Sequence, residues 1–80
     1  MKQDLMEAIL HFYPECDYLS DLPMAVKKGG KKRVIRIFSF LLNDYDADGF
    51  DEMFRYLFKV DFHFNNKKEV IQKLEGLFIT

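Results

Sequence analysis

The sequence predicts an α+β fold, a single domain over residues 1–80 in the order α-β-β-α-β-α, with a three-stranded sheet covered by helices. Three observations carry it. Apolar residues recur at helical spacing in three stretches, 5–13, 50–58 and 70–78. A Gly29-Gly30 pair stands between two apolar runs, the signal of a two-residue hairpin. Val60, Phe62 and Phe64 alternate with Asp61 and His63, the pattern of a half-buried strand.

The elements follow in chain order. Leu5, Met6, Ile9, Leu10 and Phe12-Tyr13 mark an amphipathic helix that Pro14 ends, with Asp4 and Glu7 at its favourable N-terminal end. Residues 14–23 hold both prolines, lack periodicity and read as a loop. Met24-Ala25-Val26 and Arg33 to Phe40 form the hairpin strands, the second rich in strand-favouring Val34, Ile35, Ile37 and Phe38. An alternative stands beside this. Val34, Ile35, Phe38, Leu41 and Leu42 also share one helical face, with Arg33, Arg36 and Ser39 on another, and a helical 31–43 would make the chain an all-α four-helix domain. Phe50, Met53, Phe54, Leu57 and Phe58 then define a helix after the acidic loop 43–49. Asn65 or Asn66 caps a last helix with Glu69 in its first turn and Val70, Ile71, Leu74, Leu77 and Phe78 as its apolar stripe.

Composition narrows the function classes. A chain of 80 residues buries only about 60–65% of its unfolded surface. Yet 49% of it is hydrophobic and 16% aromatic, with nine Phe and four Tyr. That excess points some aromatics toward a partner or a second copy. A net charge of −1 argues against a histone-like binder and against an acidic nucleic-acid mimic. Cys16 is the only cysteine, which excludes an internal disulfide and fits a reducing cytoplasm. The N-terminal segment carries acids and no small-residue cleavage site, so it is not a signal peptide, and no run is long enough to span a bilayer. Starting at Met1 without a tag, the chain reads as a complete small gene product.

Candidate sites are few. Asp44, Asp46 and Asp48 with Gly49 resemble the first half of an EF-hand calcium loop. The resemblance covers six residues and then fails, because Asp51 stands at the apolar position and Arg55 where the bidentate Glu belongs. Weak calcium binding there competes with a plain acidic turn before a helix. Lys27, Lys28, Lys31, Lys32, Arg33 and Arg36 place six of the twelve cations within ten residues. Such a hairpin could follow a phosphate backbone or dock on an acidic protein surface, the acidic loop of a twin subunit included. It could equally serve only to keep a sheet edge soluble.

Catalysis has little support: Ser20, Ser39 and Thr80 are the only hydroxyl nucleophiles, no phosphate-cradling glycine loop is present, and no cofactor is expected. Tyr13, Tyr18, Tyr45, Arg55 and Tyr56 are the expected exposed anchors of a protein interface, since hot spots favour Tyr and Arg. The expectation is therefore a small, cytoplasmic, non-enzymatic regulator or inhibitor that occludes a larger host or cellular protein, of a size suited to phage or mobile-element origin. The alternative is a nucleic-acid-binding regulator using the basic 27–36 segment. Homodimerisation is compatible with both; no membrane partner is expected.

Overall fold

The computed structural model describes residues 4–78. Among the described residues there are four helices, α1 Leu5–Leu10, α2 Leu22–Leu41, α3 Asp48–Phe58 and α4 Lys67–Leu77, with a short 3-10 turn at Leu19–Asp21. Among the described residues there is no strand, so the fold is all-helical and the expected α+β architecture is corrected to its four-helix alternative.

The two expected hairpin strands are the two halves of α2. A type I′ hairpin turn needs positive φ at both central residues. Here only Gly30 has it, at φ 84° and ψ 171°, a conformation open to glycine alone. One residue leaving helical space kinks the helix there. Pro23, expected in a loop, lies in the first turn of α2, where its missing N–H costs nothing. Beyond the break, Val34, Ile37, Phe38 and Leu41 are buried on one face, so the helical period wins over β-branched propensity.

The expected strand at 60–64 is an irregular segment, and no strand is found among the described residues. Side chains of α3 hold it instead. Asp51 accepts the Phe64 N–H at 3.3 Å and meets His63 Nδ1 at 3.1 Å, while Arg55 pairs with Asp61 at 3.0 Å. Phe62 and Phe64 both pack on Phe54, whose ring centroid lies 6.1 and 4.8 Å from theirs.

The helix ends are locally encoded. Asp4 caps α1 through Met6 N–H at 3.2 Å. Asn66 accepts from Glu69 N–H at 3.0 Å, and the Glu69 carboxylate accepts in return from Asn65 N–H at 2.7 Å, a reciprocal arrangement close to a capping box. α2 is the central element, touching α1, α3 and α4. The buried side chains form one cluster, with Phe38 packed on Phe50 and Phe54 at 5.3 and 5.7 Å. No helix among the described residues is long and apolar enough to cross a membrane.

Candidate functional site

The sequence of α2 decides its surface. Its 20 residues include six cations and no acid, so the rest of the chain holds six cations against all thirteen acids. The slight negative net charge therefore conceals a separation of charge, a basic element on an acidic body.

Burial turns the cations outward. Before the break, Leu22, Ala25 and Val26 face the core, leaving Met24, Lys27 and Lys28 outside. After it, the apolar face leaves Lys32, Arg36 and Phe40 exposed at i, i+4 and i+8, beside Ser39. Lys31 is exposed at the start of this half. Among the described residues, Lys27, Lys28, Lys31, Lys32 and Arg36 reach no carboxylate. Arg33 does not belong with them. Its guanidinium grips Glu15 at 2.8 Å and the Phe12 carbonyl at 2.9 Å, and lies 4.2 Å from the Tyr13 ring centroid. Five free cations remain where six were expected.

The expected interface anchors scatter. Tyr13 is a correction: it is fully buried in the core, and burial pushes its hydroxyl up to about 12. Tyr45 is half-buried. Tyr56 is half-buried and donates its hydroxyl to the Leu19 carbonyl at 2.8 Å, which fastens the 3-10 turn to α3. Arg55 is exposed but paired with Asp61. Only Tyr18, 71% exposed, stands free as an anchor would.

The aromatic excess goes inward because five rings fill the core and six more lie half-buried around it. Tyr18 and Phe40 are the two exposed aromatics. Phe40 is 56% exposed: a strand over 33–40 would put it on one face with Val34 and Phe38, whereas the helical spacing Lys32–Arg36–Phe40 puts it on the outward row.

Other candidates hold less. Asp44 and Asp46 lie in the turn before α3 and Asp48 is its first residue; among the described residues no three His, Cys, Asp or Glu side chains gather where they could hold a metal. Cys16 is a half-buried free thiol whose pKa is raised by burial first and then by the Glu15 and Asp21 carboxylates, the reverse of an activated thiolate. Thr80 lies outside the described residues. An open groove of about 550 Å³ runs between Met6, Leu19 and Tyr56, with Glu52, Arg55 and Lys59 at its sides. Mixed charge around its rim favours neither an anionic nor a cationic occupant. No protein-family model, curated protein or solved structure matches this chain.

Proposed function

We propose that the protein is a small, non-enzymatic, nucleic-acid-binding regulator that grips phosphates with the outer face of α2. The observation behind it is the acid-free α2 with five exposed cations that pair with no carboxylate among the described residues. Phosphate backbones release counterions to such a face, and the acidic remainder of the surface orients the molecule with α2 forward. The free, half-buried Cys16 suits a reducing cytoplasm.

Fluorescence anisotropy of labelled oligonucleotides tests the reading. Five phosphate contacts give a log–log salt slope of about −3.5 to −4.5. The double substitution Lys31→Glu, Lys32→Glu should abolish binding without lowering the melting temperature. A salt-insensitive affinity, or full binding by that variant, counts against it.

A second reading, a regulator that occludes a larger protein, draws on the exposed apolar side chains of Tyr18 and Met24, at 71% and 64% exposure. It gains if oligonucleotides fail to bind at low salt and a stoichiometric, nuclease-resistant protein complex is lost on Tyr18→Ala.

A further inference from the structure

We infer that the nucleic acid bound by α2 is single-stranded, with an unpaired base stacked on the ring of Phe40; this rests on the nucleic-acid reading above. Phosphate contacts alone explain the five cations but leave Phe40 without a purpose. Over half of its surface meets solvent, although it belongs to the same outward row as Lys32 and Arg36.

The ring is also held in place. Phe12 meets it in a T-shaped contact, with centroids 5.5 Å apart and planes at 64°. Phe12 is in turn fixed through its carbonyl, which accepts from Arg33 at 2.9 Å. A supported aromatic ring one helical turn beyond Arg36 and two beyond Lys32, on an element with further exposed lysines, combines the two parts of a single-strand site. The cations follow the backbone, and the ring offers a sequence-tolerant face to a base. In a duplex the base faces are already stacked on one another, so the ring gains nothing from it. Arg36, about 6 Å along the axis from Phe40, lies within reach of the phosphate or the edge of the same nucleotide.

The chain contains no Trp, so Phe40→Trp creates a single emitter at the proposed stacking position. Titration with a single-stranded oligonucleotide should quench its emission in step with anisotropy. The matching duplex should bind more weakly and leave the emission unchanged. Phe40→Leu should lower single-strand affinity about tenfold or more while the melting temperature holds, and Phe40→Tyr should retain binding.

The stacking inference is overturned if Phe40→Leu binds as the parent does, if the duplex binds equally well, or if the strand binds without quenching. If Lys31→Glu, Lys32→Glu still abolishes binding in those cases, the phosphate-binding reading survives alone. Absence of any oligonucleotide binding at low salt removes both.

Discussion

Arg33 lays its guanidinium fork on the carboxylate of Glu15, Nη1 to Oε2 at 2.8 Å and Nη2 to Oε1 at 3.0 Å. The pair ties the loop after α1, where Glu15 lies, to the second half of α2, where Arg33 stands three residues past Gly30. Nη2 also donates to Phe12, so one side chain ties two points of that loop to the second half of α2. A lysine cannot make this set of planar contacts. Arg33→Lys should therefore lower the melting temperature, and so should Glu15→Gln.

The acid side of the stability profile gives a sharper test. The Arg33 hydrogen bond first, and a hydrogen bond from its own backbone second, hold the Glu15 carboxyl below its ordinary 4.5. A depressed folded-state value stabilises the fold above the unfolded value, and that contribution disappears as pH falls through the folded one. Thermal melts followed by circular dichroism should show the parent losing stability below pH 4.5, with Glu15→Gln losing less. Parallel curves for the two proteins would remove the clamp from the list of stabilising contacts.

Gly30 makes the second prediction. Its φ of 84° with ψ 171° is strained for any side chain, although a Cβ there would meet no atom within 4 Å. Gly30→Ala should destabilise by about 1–3 kcal/mol through the backbone alone. Gly29 differs, since its added Cβ would stand 3.0 Å from Arg33 Cδ and 3.5 Å from the Tyr13 ring. The cost of Gly29→Ala should shrink in an Arg33→Ala background, whereas that of Gly30→Ala should not. A double-mutant cycle in chemical denaturation separates the two.

Tyr13 supplies a third, at alkaline pH. Its ring is fully buried, and its hydroxyl has no hydrogen-bond partner among the described residues. Desolvation raises its value from 10.0 to about 12, against the opposing pull of Arg33. Because the folded value lies above the unfolded one, the folded state holds its proton longer, and stability falls as pH climbs from 10.0 toward 12. Ultraviolet titration should find one tyrosine ionising well after the others, or only on unfolding. Tyr13→Phe should remove that late step and should match or exceed the parent in stability at neutral pH, since it deletes an unsatisfied buried hydroxyl.

These same residues explain what the sequence made legible. Helix α3 and the Asn66 cap were readable because their signals are local: a 3.6-residue apolar period, and a side chain within three residues of the N–H that it accepts from. The Gly-Gly pair was not, because glycine suits both a hairpin and a helix break, and the deciding contacts come from Tyr13 and Glu15, more than ten residues away. The alternation at 60–64 reflects packing on α3, not pairing in a sheet. Phe54 collects Phe62 and Phe64 from every second position, while Asp51 supplies the acceptor that a neighbouring strand would have given. The basic segment was visible as a run of cations. That Arg33 is neutralised and Phe40 faces out required the helix.

Lys59 closes α3 in a left-handed conformation, φ 59° and ψ 33°, and its N–H donates to the Arg55 carbonyl at 3.1 Å. It is the one non-glycine residue with positive φ among those described. Two interactions favour the lysine there: its charge at the helix C-terminus, and its ammonium 5.9 Å from the Tyr56 ring centroid. Both are exposed and screened, whereas the backbone cost of a Cβ in this region is about 1–2 kcal/mol. Lys59→Gly should therefore be stabilising by up to about 1 kcal/mol, a gain of up to about 4–8 °C in melting temperature. Lys59→Ala keeps the Cβ and loses the charge, so it should melt below the parent. The expected order of melting temperatures is Gly, then Lys, then Ala. If the glycine variant melts below the parent, the ammonium contacts outweigh the strain and the backbone argument at this cap is wrong.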